Sequence, residues 1–312
     1  MRPLPLPPVR WHRRGLVLSL SVLSLLLGLA CQGLGEVPTP EDSLRESAEA
    51  LILAPGQVIV SLHFDDSLAS QAEAGPLLAA RGMRGTFYAN SGRVGTPGSL
   101  TYEQLRQFQA AGHEVGGHKI SHPRLTTLGA AAQRQEVCGD RLALLNAGLQ
   151  VKSFAYPFGD ADSGTRQLLI DCGYNSGRES GGLRTPGSCS SSPYAEPVPP
   201  RDAYAIRTHG SVTRDWTLSY LQNLVLRAES AGGGWVPIVF HQISPTTCST
   251  SETYCISRST FIAFLDWLAP RTSRGTVVRT VDEVIGGPPQ PPPSGTPPPP
   301  TQLLINPSLV SE

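Results

Sequence analysis

From Gln57 onward, short apolar runs alternate with longer stretches of helical periodicity. Val58-Ile59-Val60-Ser61-Leu62 is compact and β-branched, and predicts a buried strand. Ala69 to Ala80 predicts a helix, Gly85-Thr86-Phe87-Tyr88-Ala89 a strand, Thr101 to Ala111 a helix, and Glu114 to Gly117 a third strand. A helix over Ala130 to Ala147, a strand at Ser153-Phe154-Ala155-Tyr156 and a helix over Thr165 to Cys172 follow. Residues 176 to 202 are dense in Gly, Ser and Pro and read as a long irregular loop over one face. Order returns with Ala203 to Arg207, a helix across Leu218 to Ala228, the run Trp235 to Phe240, a helix through Phe261 to Leu268 and a last strand Thr276-Val277-Val278-Arg279. Strict strand and helix alternation argues for a parallel sheet with right-handed crossovers. About seven such pairs favour a distorted α/β barrel of (β/α)7 type, with a doubly wound open sheet as the alternative.

The flanks differ in character. Arg2, Arg10, Arg13 and Arg14 precede the apolar run Gly15 to Ala30, a charged region followed by a hydrophobic one, and predict a secretory signal over residues 1–31. The run is short for a bilayer span. Leu29-Ala30-Cys31 resembles a lipobox with Gly28 where Leu is usual, so a lipid on Cys31 and ordinary cleavage both stand as expectations, either one giving an exported protein. Residues 32–55 read as a tether. Residues 287–301 are a Pro-rich linker suited to an extended polyproline helix of about 3.1 Å per residue. Residues 302–312, with Asn306-Pro307-Ser308-Leu309, resemble the opening strand of a carbohydrate-binding β-sandwich module, of which only a remnant would be present.

Lys plus Arg equals Asp plus Glu at 25 each, so the chain has no basic field to hold nucleic acid. Export permits cystines. Cys248 and Cys255 can close a small loop after His241, and Cys138 and Cys172 lie in successive helices; these are the preferred pairs, with Cys189 left odd.

The chemistry-bearing residues gather at strand ends. Asp65 and Asp66 follow the first strand, His118 the third, Tyr156 and Pro157 the fourth, and His241 the run at 235–240. In a barrel those carboxyl ends share one mouth. One Asp and two His suffice to hold a catalytic zinc with a position left for water, and a further Asp and His would be free for proton transfer. His118 and His122 have the spacing of one helical face, but Pro123 biases His122 away from the α region and into a turn.

Four segments, His63-Phe64-Asp65-Asp66, Glu114-Val115-Gly116-Gly117-His118 through His122-Pro123, Tyr156-Pro157-Phe158-Gly159 and Val239-Phe240-His241, together resemble the ordered motifs of NodB-like polysaccharide deacetylases, carbohydrate esterase family four. The resemblance spans about residues 57 to 286, within an expected catalytic domain at 56–286, and implies a barrel of the polysaccharide deacetylase kind. It implies one divalent metal ion, Zn2+ by ligand type, on Asp66, His118 and His122, with Asp65 as general base and His241 as general acid in metal-assisted hydrolysis of N-acetyl groups on a glycan. It also implies the Tyr156 backbone amide as an oxyanion donor beside Pro157, and Val239 as a wall for the acetyl methyl. Ala155 stands where the family often has an Arg that pairs with the base, so Arg178 or Arg207 is expected to supply the cation. His63 replaces a Thr and is read as a packed histidine. Asp215-Trp216 is the sole match to a further Asp and Trp motif and reads rather as a helix cap; His113 and His209 read as surface or satisfied residues. The competing functions are a non-catalytic glycan-binding module and an O-acetyl esterase or small-molecule amidase.

Overall fold

The structure is a computed structural model and describes residues 53–295 apart from 186, 187 and 189. The expected leader with Cys31, most of the expected tether, Cys189 and residues 302–312 lie outside the described residues. Among the described residues no helix is long and apolar enough to cross a membrane.

Seven parallel strands form a nearly closed barrel: β1 (Val58–Phe64), β2 (Thr86–Ala89), β3 (Glu114–Gly117), β4 (Ser153–Ala155), β5 (Ser176–Gly182), β6 (Ile206–Thr208) and β7 (Gly234–Phe240). β7 pairs along the whole of β1, from Val58↔Gly234 to Phe64↔Phe240. The other edge of β1 is shared: β2 takes the upper end at His63 and Phe64, and the late strand Thr276–Val278 takes the lower end at Val58 to Val60. The seam between β6 and β7 is stitched by loops. Val212 N–H donates to the Val239 carbonyl at 2.8 Å, and lower down Glu196 and Trp235 exchange backbone bonds of 2.8 and 2.7 Å.

Side-chain alternation on the strands separates two cores. Val58, Val60, Leu62 and Phe64 of β1 face the surrounding helices, with Phe64 against Phe87 at 4.6 Å, Phe240 at 5.6 Å and Phe261 at 5.9 Å between ring centroids. Each such pair adds about 0.5–1.5 kcal/mol beyond area burial and pins the tip of β1, where the two aspartates begin. The opposite faces fill the barrel. Ile59 lies with Tyr88, Ile206 and Trp235, Trp235 Nε1 donates to Ser61 at 2.8 Å, and His63 stands edge-on to Tyr88 at 5.5 Å. Gly116 is required there, since a Cβ would come within 2.6 Å of the Tyr88 ring.

The helices between strands are α1 (Ala74–Ala79), α2 (Tyr102–Ala110), α3 (Ala130–Arg134) running through a π turn at Gln135–Gly139 into α4 (Asp140–Asn146), α5 (Ser163–Asp171), α6 (Leu218–Ser230) and α7 (Arg258–Leu268). The helix expected from Ala69 opens instead as a 3-10 turn, Ala69–Glu73; Pro76 has no N–H to donate and suits the first turn of the α-helix that follows. α6 is capped by Thr217, whose side chain accepts from Tyr220 N–H, so the cap is not Asp215, which is 82% exposed. Trp216 instead stacks on Tyr220 at 4.3 Å. Both expected disulfides, Cys138–Cys172 and Cys248–Cys255, are formed.

The stretch read as a loop from 176 contains β5, whose first three residues are buried. Its Ser-Gly-Arg-Glu-Ser-Gly-Gly sequence lacks apolar residues because neighbours fill the space; a Cβ on Gly177 would meet Leu169 and the Tyr156 ring at 2.8 and 2.9 Å. The loop that does follow pairs into the seam through Glu196. The Pro-rich segment read as a linker is hydrogen-bonded to the domain as far as it is described. Asn175 donates to the Gly286 and Pro288 carbonyls, Lys152 to Gly287, buried Arg141 to Gln290 and Pro291, and Arg134 to Ser294.

At the foot of the barrel Glu114 is buried and accepts from Thr86 Oγ1 at 2.9 Å, Ser153 Oγ and Asp282 N–H at 2.9 Å. Asp282 belongs to α8 (Val281–Ile285), which closes that end. Burial outweighs those donors and pushes the Glu114 carboxyl up to about 7. A raised folded pKa means the folded state holds the proton longer, so this contribution is full below the ordinary value near 4.5 and is lost as pH rises through 7. Glu114→Gln is expected to flatten the fall in unfolding free energy between pH 4.5 and 7 by on the order of 3 kcal/mol, read by denaturant titration. An unchanged pH slope would refute this account of the foot.

Candidate active site

The backbone itself marks the mouth. Among the described residues, five non-glycine residues have positive φ: Asp66 (74°), Ser67 (53°), Lys119 (68°), His122 (70°) and Phe158 (62°). All five lie on loops that leave the carboxyl ends of β1, β3 and β4. Such conformations cost about 1–3 kcal/mol each and persist where the surroundings enforce them, typically at functional sites. Enforcement is visible: Leu100 N–H donates to the Ser67 carbonyl at 2.7 Å, Asn90 N–H to Ser67 Oγ at 3.0 Å, and the Gln71 amide bridges the carbonyls of Asp65 and His241. The turn at Asp66 lets two adjacent carboxylates face one space.

Asp66, His118 and His122 present ligand atoms that all lie within 4.8 Å of one another. Asp66 Oδ1 is 3.6 Å from His118 Nε2 and 3.2 Å from His122 Nε2. His118 Nδ1 is 2.7 Å from the Ala155 carbonyl, which can only accept; that nitrogen therefore carries the proton and Nε2 keeps a lone pair toward the cluster. Buried Asp140 supports the same loop, accepting backbone N–H from His118 and Lys119 at 3.1 Å each and from Ser91 at 2.9 Å. Burial lowers His118 to about 4 against the pull of Asp65 and Asp66, and burial also lowers His122, so both imidazoles are neutral donors near pH 7. Two neutral imidazoles and a carboxylate with a buried, unbonded oxygen fit a divalent transition ion.

Asp65 stands beside this group and differs from it. Its Oδ1 accepts from Arg178 Nη2, with both side chains nearly fully buried. Burial alone would raise its carboxyl, but Arg178, then His118 and His241, hold it well below the usual carboxylate range. His241 Nε2 is 3.9 Å from Asp65 Oδ2 and 3.9 Å from Asp66 Oδ2. Of the two arginines expected as the cation, Arg178 meets Asp65. Arg207 does not, being engaged by Glu196 at 2.6 Å. Arg178 also lies over the Tyr88 ring at 5.0 Å, which leaves little room for its guanidinium to swing away.

One further expectation changes. The Tyr156 N–H donates to the Arg178 carbonyl at 2.9 Å in the β4–β5 ladder and is not free to meet an oxyanion. Pro157 is buried beside it. Phe158, which sequence reasoning did not single out, has an N–H with no acceptor among the described residues, and its ring meets His122 at 4.6 Å and Arg124 at 4.6 Å. Its positive φ was the missing signal, and nothing in the residue type announces that. Val239 is wholly buried and registers with His63, so it lies on the inner face beneath the mouth. The His63 ring has no hydrogen-bond partner among the described residues, and burial with Arg178 lowers it to about 3, as a packed neutral imidazole. Of the two readings of His113 and His209, surface or satisfied, the second holds: both are buried, His113 Nδ1 accepts from Gly85 N–H at 3.1 Å, and His209 Nε2 contacts the Tyr194 carbonyl at 3.1 Å. A cavity of about 290 Å³ beside α6, lined by Arg184, Tyr194, Tyr220 and Arg227, shares no residue with the mouth.

Residues 54–177 match the family model described as polysaccharide deacetylase. The protein YxkH of Bacillus subtilis strain 168, itself named a polysaccharide deacetylase only provisionally, is 26% identical over 125 residues, 39% of this chain and 45% of its own. The chain thus spans under half the length of that curated relative. Among solved structures, a family 4 carbohydrate esterase from Streptomyces lividans in complex with acetate is similar at 17% identity over 76% of this chain and all of its own, with a TM-score of 0.45. The chitin deacetylase of the fungal pathogen Colletotrichum lindemuthianum is similar at 20% identity over 76% of this chain and 92% of its own, with a TM-score of 0.46.

Proposed function

From the match of residues 54–177 to the polysaccharide deacetylase family model, we propose that the protein is an exported, metal-dependent N-deacetylase acting on amino-sugar glycans of a cell wall or exopolysaccharide. The observation that carries this reading is the convergence of Asp66, His118 and His122 beside an arginine-held Asp65 and a third imidazole, His241. A divalent ion, zinc by ligand type, held by the first three would supply Lewis-acid polarisation of the acetyl carbonyl and a more acidic water. Asp65 remains outside the ligand set and takes the proton from the attacking water. In this reading the Phe158 N–H, which has no acceptor among the described residues, stabilises the charge that grows on the carbonyl oxygen. His241 Nε2 delivers a proton to the leaving nitrogen as the C–N bond breaks, giving acetate and a free amine.

In the purified protein, Asp66→Ala and His118→Ala are each expected to lose most of the bound zinc seen in the wild type. Ligand removal should weaken affinity beyond the roughly 10- to 100-fold typical of losing a supporting hydrogen bond. Elemental analysis reads this directly, and full metal in both variants would remove the ligand assignment. Acetate release screened across chitin oligomers, peptidoglycan and poly-N-acetylglucosamine tests the reaction. Release from ester-linked acetyl groups alone would replace the amidase by an esterase, and binding without release would make the domain a glycan-binding module.

A further inference from the structure

The three imidazoles of the mouth are held by different means. His118 is fixed through Nδ1 on a carbonyl at 2.7 Å, and His122 lies 3.2 Å from Asp66 with its ring against Phe158. His241 directs Nε2 toward the two aspartates, but its Nδ1 is buried with no acceptor among the described residues. A histidine that passes a proton is ordinarily oriented by a hydrogen bond on its second nitrogen. Here the group that lies against the ring is Tyr254, stacked at 5.2 Å with 28° between the planes.

Tyr254 is 53% exposed, so it is not a core residue that happens to touch His241. Its place is nonetheless tightly defined. The Tyr254 carbonyl accepts the Gln242 N–H, the amide immediately after His241, at 3.1 Å. The next residue, Cys255, opens β9 (Cys255–Ser257), which pairs in parallel with β8 (Gln242–Ser244). Cys255 is also bonded to Cys248, closing a short loop. Inside that loop Glu252 accepts from Ser249 N–H at 2.6 Å and from the Gln242 side chain. From outside, Arg214 donates its N–H to Thr253 at 3.0 Å and its guanidinium to Thr250.

We infer that Tyr254 is a positioning residue: the disulfide-closed loop 248–255 holds its ring flat against His241 and so aims Nε2 into the mouth. This rests on the deacetylase reading, and its test separates the two. Tyr254→Ala is expected to lower kcat about 10- to 100-fold, the range for a misplaced catalytic group, with KM and zinc content close to wild type. Tyr254→Phe keeps the ring and should restore kcat to within about threefold. The double change Cys248→Ser with Cys255→Ser should reproduce part of the kcat loss. A rise in KM at unchanged kcat in Tyr254→Ala would overturn the inference and make Tyr254 a substrate contact. Unchanged kinetics would overturn it too. A second readout needs no turnover: the carbon-bound ring protons of His241 should carry an upfield ring-current shift that Tyr254→Ala abolishes and Tyr254→Phe retains. If the wild type releases no acetate from any glycan, the deacetylase reading fails. The ring-proton shift then decides the positioning, and an unaltered His241 signal in Tyr254→Ala refutes it.

Discussion

Asp65→Asn is expected to cut acetate release by about 10²- to 10⁴-fold while leaving bound zinc unchanged, the range for loss of a positioned general base. The change is nearly isosteric and leaves the Asp66, His118 and His122 cluster untouched. An asparagine oxygen can still accept from Arg178, so the inner salt link becomes an ordinary hydrogen bond rather than a void. What disappears is the capacity to take a proton. Retention of activity within about threefold, with zinc in place, would mean that another group is the base.

Arg178→Met is expected to be as damaging to activity and far more so to stability. Removing one partner of a buried ion pair leaves the other charge uncompensated, at a cost of about 3–5 kcal/mol. The sign of the pH effect follows from the Asp65 environment. With Arg178 present the folded carboxyl lies well below its ordinary range, so its stabilisation is full at neutral pH and is lost only as pH falls through the acid region. Without Arg178 the burial that already opposes ionisation would prevail, the folded carboxyl would rise, and stability would instead be lost as pH increases. Denaturant titrations of both forms at pH 5 and pH 8 should therefore show a gap that widens at the higher pH. Arg178→Lys should recover part of the loss, since it restores a charge without the planar fork. A gap that is constant or narrows would contradict this role for the pair.

How far the sequence could be read depended on what each segment buries. β1 and β7 are continuous apolar runs ending in Asp65 and His241, because both of their faces are covered, and strands of that kind are visible without a fold. β5 was not, because its neighbours provide the bulk that its own Gly and Ser residues lack. That same blindness hid how Arg178 reaches Asp65: a buried arginine in a Gly and Ser stretch looks like a surface loop until strand register turns it inward. Register also explains the Tyr156 error, since whether a backbone N–H is spent in a ladder is a property of the neighbouring strand and not of the residue. The Phe158 amide, without an acceptor among the described residues, depended on a backbone angle that residue type does not announce. Closure of the β6 and β7 seam through Glu196 was illegible for a related reason, being made by backbone groups that every residue possesses.

The Pro-rich strap fixes the course of the chain after α8. It leaves α8 at the foot, is held by Arg141, and reaches Arg134, the last residue of α3, about 10 Å further along the same helical run. The strap thus runs along that helical run from α4 back to the end of α3 before Gly295. A module grafted after Gly295 would therefore depart from beside α3, whereas the same graft after Gly286 would depart from the foot, next to α8.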